Sequence, residues 1–400
     1  MKKGEENMPP IRVLVVDDSA VIRKVLSEVL ETDGSIQVAG SAPDGRIALA
    51  KIPLLNPDVV TLDIEMPGMS GLETLVEIRK IYPKLPVIMF SNMTERGAAI
   101  TLDALALGAS DYVAKPGNTG SLEATEKRIE TDLIPKVKGL YRASAEKKRL
   151  PGAPPGKGEA KDFVPPNLNL VGSPIDVLAI GTSTGGPNAL AEVLPLIPRD
   201  FPVPIVIVQH MPRLFTRLLA ERLDKQSAIR VREGEEGGVL KPGEAWIAPG
   251  DFHMTLAKEG NVVRLAMNQE PPENSCRPAV DVLFRSVAHV YGAHTLAVVL
   301  TGMGSDGVRG SQHVREAGGQ ILVQDEATSV VWGMPGQVLA AGLAAGAFPL
   351  EEIAPEITRR VRSSRTGTER RDIMAGGKRE LRKNQEEMPA CVRPVERPSN

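Results

Sequence analysis

Four short apolar runs in the first third of the chain each end in polar residues, and helical patterns alternate with these runs. The alternation predicts βαβ units and a parallel sheet. Open parallel sheets bind ligands in the crevice outside the carboxyl ends of their strands, so the polar residues that follow the runs are expected to share one site. The runs are Ile11–Val16, Val59–Leu62, Pro86–Phe90 and Ala109–Ala114.

Five side chains are candidates for that site: Asp17, Asp18, Asp63, Ser91 and Lys115. Three converging carboxylates repel one another unless a hard divalent cation lies among them, and Mg²⁺ with oxygen ligands is the ordinary solution. A hydroxyl and an ammonium group nearby could hold phosphoryl oxygens. Each residue alone has a simpler explanation as a helix cap, a turn residue or a solvated lysine. Their order on successive strand ends is what favours a phosphoryl site.

Residues 10–125 resemble a two-component receiver domain in the segments VLVVDDSA, VVTLDIEMPGMSG, VIMFSN and DYVAKPG. The resemblance implies a flavodoxin-like fold, with Asp63 as the phosphoacceptor and a sensor histidine kinase as the phosphodonor. It also implies that Asp17 and Asp18 join Asp63 in holding Mg²⁺. Ser91 would then be the switch hydroxyl, and Lys115 would contact the acyl phosphate.

The composition indicates a soluble protein with more than one domain. At 400 residues and 42% hydrophobic content, the chain is long enough for two cores of ordinary size. A net charge of −2 offers no excess for binding polyanions, so nucleic acid is not expected as a partner. We find no signal-peptide pattern and no apolar stretch of membrane-spanning length, so we expect a cytoplasmic location without membrane insertion. Two cysteines, Cys276 and Cys391, do not indicate a disulfide framework.

The sequence changes character after the receiver-like region. Residues 126–173 begin with a charged helical pattern and continue into a segment rich in Pro, Gly and Lys, which predicts a helix and an interdomain linker. A second α/β region is predicted at 174–361. Residues 362–400 have many charges and few apolar side chains, which predicts a disordered tail; a dispensable extension is favoured over a weak electrostatic docking arm. Strand-like runs of the second region are Asp176–Ile180, Val203–Val208, Ala245–Ala248, Val262–Ala266, Thr295–Leu300 and Gln320–Val323.

The segment GTSTGGP places Ser183 between a predicted strand and a predicted helix. Gly-x-Ser-x-Gly in that position is a nucleophile-elbow pattern, in which small neighbours permit a tight backbone and amides at the helix start face a developing oxyanion. A phosphate-binding loop is the competing explanation. It is disfavoured because the segment lacks the spacing of a dinucleotide fingerprint and the lysine of a Walker loop.

A nucleophilic serine needs a base within hydrogen-bond reach and a carboxylate that orients the base. His210 follows the strand-like run VPIVIVQ, and Asp306 follows LAVVLTGMGS, so both are expected at the same sheet edge as Ser183. His253, in APGDFHMTL, is the rival for the active-site histidine. The chain order Ser, His, Asp differs from the order in α/β-hydrolases, which argues against that fold.

The segments GTSTGGPNAL, IVIVQHMP, WIAPGDFHM, RPAVDVLFRS and LTGMGSDG resemble the catalytic domain of the chemotaxis protein-glutamate methylesterases. The resemblance implies a doubly wound α/β domain with Ser183 as the nucleophile and His210 as the general base and then acid. Asp306 would orient His210. Thr184 and Met303 are implied as neighbours that shape the site or its oxyanion hole.

Taken together, the two resemblances predict a phosphorylation-activated serine hydrolase that demethylates glutamate methyl esters on methyl-accepting chemotaxis receptors. Deamidation of receptor glutamines is a further implied activity. Mg²⁺ is expected for receiver phosphorylation, and no cofactor is expected for ester hydrolysis. Two other hypotheses are a receiver-controlled nucleotide-binding output module and a non-catalytic scaffold. The first lacks a purine- or phosphate-contacting pattern, and the second leaves the alignment of Ser, His and Asp unexplained.

Overall fold

The computed structural model describes residues 9–92, 94–115, 126–127, 129–149 and 173–365. The Pro- and Gly-rich part of the predicted linker, most of the predicted tail and Cys391 lie outside these ranges. Within them, none of the helices is both long enough and apolar enough to cross a membrane.

The N-terminal domain is built on a five-stranded parallel sheet in the order β2-β1-β3-β4-β5, the flavodoxin-like order, which confirms the predicted fold class. Alternate residues of β1 are buried on opposite faces: Val13 and Val15 pack with one set of helices, and Leu14 and Val16 pack with the other. Burial on both faces explains why the central strands are continuous apolar runs. The strands are β1 (Ile11–Val16), β2 (Ile36–Ala42), β3 (Val59–Asp63), β4 (Val87–Ser91) and β5 (Asp111–Ala114).

In the described part of the N-terminal domain, helices α1 to α5 cover the two faces of this sheet. Helix α5 follows a π-helical turn, Ile129–Leu133, and both pack beside α1. The other three helices pack against the opposite face. The helices are α1 (Ala20–Glu31), α2 (Gly45–Leu55), α3 (Gly71–Ile81), α4 (Glu95–Ala106) and α5 (Ile134–Arg149).

The second domain contains a seven-stranded parallel sheet in the order β14-β13-β12-β6-β7-β9-β8. A separate antiparallel hairpin is formed by β10 and β11. The strands are β6 (Val177–Thr182), β7 (Ile205–Gln209), β8 (Arg230–Glu233), β9 (Glu244–Ile247), β10 (His253–Glu259), β11 (Val262–Asn268), β12 (Thr295–Val299), β13 (Gln320–Gln324) and β14 (Gly346–Phe348).

Helices flank both faces of the second sheet, so the predicted doubly wound architecture is confirmed. In β6, Leu178 and Ile180 pack on one face, whereas Val177 and Ala179 pack on the other. The helices are α6 (Gly186–Val193), α7 (Arg213–Gln226), α8 (Val280–Tyr291), α9 (Val308–Glu316), α10 (Met334–Ala340) and α11 (350–365).

The apolar runs did not identify every strand. Strands β2, β8 and β14 lie at the edges of their sheets, where a strand has one neighbour and fewer buried side chains. Strand β8, for example, has the sequence RVRE and buries Val231 alone. The run Val262–Ala266 is a strand, but it pairs with the unpredicted β10 in the hairpin rather than joining the main sheet.

The last helix continues beyond the predicted domain boundary at Val361. Residues 362–365 are helical, in contrast to the disorder predicted from residue 362 onward. Arg365 Nη2 donates to the Ile175 carbonyl at 3.1 Å and to Asp176 Oδ1 at 2.7 Å. The Ser364 hydroxyl accepts a hydrogen bond of 3.1 Å from the Ile175 amide. These bonds connect the end of the domain to the start of β6, a partner that composition alone could not reveal.

Truncation after Arg365 is expected to leave the thermal midpoint unchanged, whereas truncation after Val361 should lower it. The shorter chain loses the hydrogen bonds to Ile175 and Asp176, an effect of about 1 kcal/mol, or roughly 2–4 °C for a domain of this size. Ester hydrolysis should be unaffected in both, because Asp176 lies at the amino end of β6 and Ser183 follows its carboxyl end. Calorimetry and an esterase assay test this. A truncation after Val361 that is as stable as the full chain would contradict it.

Candidate active site

Three of the predicted site residues follow three neighbouring strands. Ser183 follows β6, His210 follows β7 and Asp306 lies in the loop after β12. Because β12, β6 and β7 are adjacent and parallel, all three residues lie at the carboxyl edge of the sheet. The predicted common edge is therefore present in the structure.

The turn that carries Ser183 depends on two glycines. The Ser183 amide donates to the Thr301 carbonyl at 3.1 Å, and the Gly186 amide donates to the Ser183 carbonyl at 2.8 Å. Gly185 has a φ of +80°, in the left-handed region that favours glycine. A Cβ atom on Gly186 would lie 2.0 Å from Gln209 Oε1, so the packing leaves no room for a side chain. These requirements explain the Gly-Gly pair before α6.

His210 and Asp306 form a buried pair. His210 Nε2 lies 2.8 Å from Asp306 Oδ2, and the side chains are 12% and 3% exposed. Burial alone would raise the pKa of Asp306, but the hydrogen bond and the charge of His210, together with backbone donors, lower it below its usual range. Asp306 is therefore ionised at neutral pH and can orient the imidazole and stabilise its protonated form.

The second nitrogen of His210 faces a residue that sequence reasoning did not select. Cys276 Sγ lies 3.5 Å from His210 Nδ1. Burial disfavours the imidazolium, but the sulfur of Cys276 and the carboxylate of Asp306 outweigh burial and raise the pKa of His210 above its ordinary range. Cys276 lies in a tight turn before α8 rather than at a strand end, so the strand-end pattern could not identify it.

Ser183 itself is adjacent to the pair without being joined to it. Among the described residues, the Ser183 hydroxyl makes no hydrogen bond to His210, whose Nε2 atom is occupied by Asp306. His210 Nδ1 is thus the nitrogen left for a serine proton, and Cys276 lies beside it. Hydrogen bonds of catalytic groups are often long before substrate binds and tighten in the substrate complex.

His253, the rival histidine, is bound to backbone groups. Its side chain is buried, its Nδ1 atom accepts the Ala279 amide at 3.3 Å, and its Nε2 atom lies 3.2 Å from the Pro271 carbonyl. Accepting from an amide fixes Nδ1 as the unprotonated nitrogen, so Nε2 carries the proton and donates. Both nitrogens support the segment that contains Cys276, which is a structural role.

The two remaining neighbours, Thr184 and Met303, lie at the contact between the domains. The Thr184 hydroxyl donates to Asp111 Oδ2 of the N-terminal domain at 2.6 Å. Met303 packs against Gly139 in α5, where a Cβ atom would lie 2.8 Å from the Met303 sulfur. The N-terminal domain therefore contacts residues on two sides of the Ser183 turn.

Further contacts hold this interface together. Asn188 Nδ2 donates to the Leu105 carbonyl at 2.7 Å, next to the Ser183 turn. The rings of Tyr112 and Phe215 stack with centroids 4.5 Å apart. Two ion pairs at the rim join α4 to α7, namely Arg222–Asp103 at 2.9 Å and Arg217–Glu95. A groove of about 840 Å³ runs between α5 and the loops that carry Met303 and Trp332.

The carboxylates predicted for the N-terminal site also converge. Ligand oxygens of Asp17, Asp18 and Asp63 lie within 4.8 Å of one another. Lys115 Nζ is 2.7 Å from Asp63 Oδ1 and 3.1 Å from Asp17 Oδ2. That Asp17 oxygen is buried, and the Lys115 ammonium lies against it. Hard oxygen donors in this arrangement fit Mg²⁺.

Burial raises the pKa of Asp63 to about 6, although Lys115 opposes the shift. Ser91 is turned away from this carboxylate. Its hydroxyl lies 2.6 Å from Thr101 Oγ1 and 3.3 Å from the Gly97 carbonyl, both in α4. Helix α4 also carries Asp103 and Leu105, which contact the second domain. The candidate phosphoryl site is thus connected through α4 to the interface.

Known proteins match the chain along most of its length. The CheB methylesterase family matches residues 178–357, and the response regulator receiver domain matches residues 13–126. A protein-glutamate methylesterase/protein-glutamine glutaminase of Trichodesmium erythraeum is 52% identical over 354 residues, covering 88% of this chain and 100% of that protein. A relative of the same name from Nocardioides sp. is 49% identical over 358 residues, covering 90% of this chain and 97% of that protein.

Among solved structures, the catalytic domain of Thermotoga maritima CheB methylesterase is 42% identical, with a TM-score of 0.46. The match covers 46% of this chain and 98% of the Thermotoga maritima chain. The full-length relatives span both domains of the chain. The chain therefore belongs to the protein-glutamate methylesterase/protein-glutamine glutaminase family, with a receiver domain preceding a CheB methylesterase domain.

Proposed function

We propose that this protein is a phosphorylation-activated protein-glutamate methylesterase, and also a protein-glutamine glutaminase, acting on methyl-accepting chemotaxis receptors. The observation that carries the proposal is the convergence of Ser183, His210 and Asp306 at one sheet edge, in a chain that matches relatives of that name along their full length. A sensor histidine kinase as phosphodonor and a cytoplasmic location belong to the same proposal.

In this mechanism the Ser183 oxygen attacks the γ-carbonyl of a glutamate methyl ester while His210 Nδ1 takes the hydroxyl proton. The tetrahedral intermediate collapses, the C–O bond to the methoxy group breaks, and the imidazolium gives its proton to the departing methoxy oxygen, so that methanol leaves. Water then attacks the acyl-serine, with His210 again acting as base and then acid. The products are glutamate and free Ser183. A glutamine side chain would release ammonia by the same steps.

The ester should be the faster substrate. Methoxide leaves from a tetrahedral intermediate with less assistance from a proton than an amide nitrogen needs. A site whose acid is a single imidazole therefore favours ester cleavage over deamidation. Thr184 and Met303, on either side of Ser183, are the proposed neighbours of the developing oxyanion.

The receiver controls access in this proposal. In the structure it contacts Thr184 and Met303, so a receptor helix must compete with it for the serine. Asp17, Asp18 and Asp63 would hold Mg²⁺, which supplies positive charge for phosphorylation of Asp63. The phosphoryl group would draw the Ser91 hydroxyl away from Thr101 and so disturb α4. Because α4 contacts the catalytic domain, the disturbance weakens the interface.

The nucleotide-binding alternative is not favoured. A phosphate at the Gly185–Gly186 turn would approach Gln209 Oε1, which packs against Gly186 and accepts no hydrogen bond. An acceptor oxygen repels an anion. The same turn suits a serine hydroxyl that loses its proton to a neighbouring base.

Ser183→Ala and His210→Ala are each expected to lower kcat by at least about 10⁴-fold, and Asp306→Asn by about 10⁴-fold because the wrong histidine tautomer is favoured. Methanol release from methylated receptor membranes measures the effect. Cys276→Ala tests whether the thiol beside His210 acts as the nucleophile. This variant should retain activity within about tenfold of wild type. An inactive Cys276→Ala together with an active Ser183→Ala would make the cysteine the nucleophile instead.

The pH dependence of kcat/KM should show the raised pKa of His210. The base must be neutral, so activity rises as pH increases through that pKa, and the midpoint is expected above the ordinary histidine value of about 6.5. Cys276→Ala removes one group that favours the imidazolium and should move the midpoint to lower pH. A midpoint at or below 6.5 that Cys276→Ala leaves unchanged would contradict this account.

Reversing one charge at the interface should raise basal activity without phosphorylation. Asp103→Arg faces Arg222 with a like charge, weakens receiver docking by about 1 kcal/mol and should raise the basal rate several-fold. Adding Arg222→Asp restores an opposite pair and should restore the low basal rate. Asp63→Asn should keep the low basal rate and lose the response to a small phosphodonor and Mg²⁺. Equal basal rates in the single variant and the double variant would show that this ion pair does not contribute to inhibition of the esterase by the receiver.

A further inference from the structure

The segment 273–276 is a tight turn beside the catalytic pair. Glu273 and Cys276 exchange backbone hydrogen bonds of 3.1 and 2.9 Å. The two central residues, Asn274 and Ser275, have φ values of +52° and +62°. Asparagine is among the few residues that adopt the left-handed region readily. The turn brings the Asn274 amide and the Cys276 thiol to the carboxyl edge of the sheet.

Asn274 joins two buried carboxylates. Its Nδ2 atom lies 2.9 Å from Asp306 Oδ1 and 2.9 Å from Asp281 Oδ2. A side-chain amide has two N–H donors, so one group satisfies both contacts. Asp306 and Asp281 are 2% and 1% exposed, and each therefore depends on hydrogen-bond donors for its charge.

The two carboxylates are also held by the helix starts in a reciprocal way. Asp306, just before α9, accepts the amides of Val280 and Asp281 at the start of α8, at 2.7 and 3.0 Å. Asp281, in the first turn of α8, accepts the amides of Gly307 and Gly310 at the start of α9, at 2.9 and 2.6 Å. Each helix start thus stabilises the carboxylate that belongs to the other segment.

We propose that Asn274 and Asp281 are positioning residues that fix the Asp306 carboxylate so that His210 Nδ1 stays directed at Ser183. The inference rests on the proposed esterase mechanism, in which Asp306 orients His210. Asp306 Oδ2 faces His210, and Asn274 and two backbone amides hold its other oxygen, Oδ1. Without that anchor the carboxylate can rotate, and the imidazole rotates with it.

The geometry predicts an order among substitutions. Asn274→Ala removes one donor from each carboxylate. Asn274→Asp, nearly the same shape, places a third carboxylate against the other two, so it should be the more harmful change. Asp281→Asn keeps one oxygen for the glycine amides but turns an N–H toward the Asn274 amide, which separates the two groups. A residue that only filled space would not show this order.

The test measures methanol release from methylated receptor membranes by the full chain, with Mg²⁺ and a small phosphodonor. Asn274→Ala and Asp281→Asn should lower kcat by about tenfold to a hundredfold, and Asn274→Asp by more, with KM within about threefold of wild type. Asn268→Ala and Asp224→Asn are matched controls outside the network, because the first loses a contact to a backbone amide and the second keeps such a contact without its charge. Both controls should behave as wild type.

A spectroscopic readout separates positioning from general destabilisation. The downfield proton NMR signal of the His210 Nε2–H, identified by its loss in His210→Ala, should shift or broaden in the network variants and stay unchanged in the controls. Unchanged kcat with an unchanged signal in Asn274→Ala would overturn the inference, as would a change confined to KM. If Asp281→Asn does not fold, the two Asn274 variants decide. Full activity in Ser183→Ala would instead overturn the esterase mechanism itself.

Discussion

Asp306 is a carboxylate in a buried site, and removing such a group from water is costly unless hydrogen-bond donors replace the lost solvent. The fold supplies those donors from the starts of α8 and α9, from Asn274 and from His210. Two helices that began elsewhere would leave this charge with Asn274 and His210 but without the backbone amides that now hold both oxygens. The position of His210 follows from how Asp306 is held, and in the proposed mechanism this makes Nδ1 the base nitrogen.

The receiver contributes to the same region through Asp111. This residue begins β5, accepts the Thr184 hydroxyl and forms an ion pair with Lys136 of α5 at 3.0 Å. Strand β5 ends at Ala114, and Lys115, which follows it, lies beside Asp63. A single short strand therefore lies between the phosphoryl site and the serine turn. A rearrangement near Lys115, at one end of β5, can therefore be passed along the strand backbone to the contact between Asp111 and Thr184 at the other end.

From the sequence we could predict those features that depend on a single buried strand and on the residues directly after it. Buried parallel strands require apolar runs, so residues just past the runs, such as Ser183 and His210, could be placed at a shared edge. Asn274, Cys276 and Asp281 could not, because tertiary packing brings a turn (Asn274 and Cys276) and a helix start (Asp281) to the His210–Asp306 pair. Edge strands such as β2 were missed for a related reason, since a strand with one neighbour needs fewer apolar residues. The extension of α11 past Val361 depends on a contact with Ile175 at the start of the second domain, about 190 residues earlier in the chain.

The strength of the receiver interface sets what phosphorylation must do. Its rim ion pairs are exposed, and such pairs contribute about 0–1 kcal/mol each. The stacked aromatic pair, the Asn188–Leu105 hydrogen bond and the hydrogen bond from Thr184 to the Asp111 carboxylate add about 0.5–3 kcal/mol apiece. Apolar side chains from both domains also belong to the same buried clusters. Converting a population from 99% closed to 99% open takes roughly 5.5 kcal/mol of differential stabilisation. Loss of the exposed ion pairs alone would not supply that free energy, so the change caused by phosphorylation must also loosen the packing of α4 against α7.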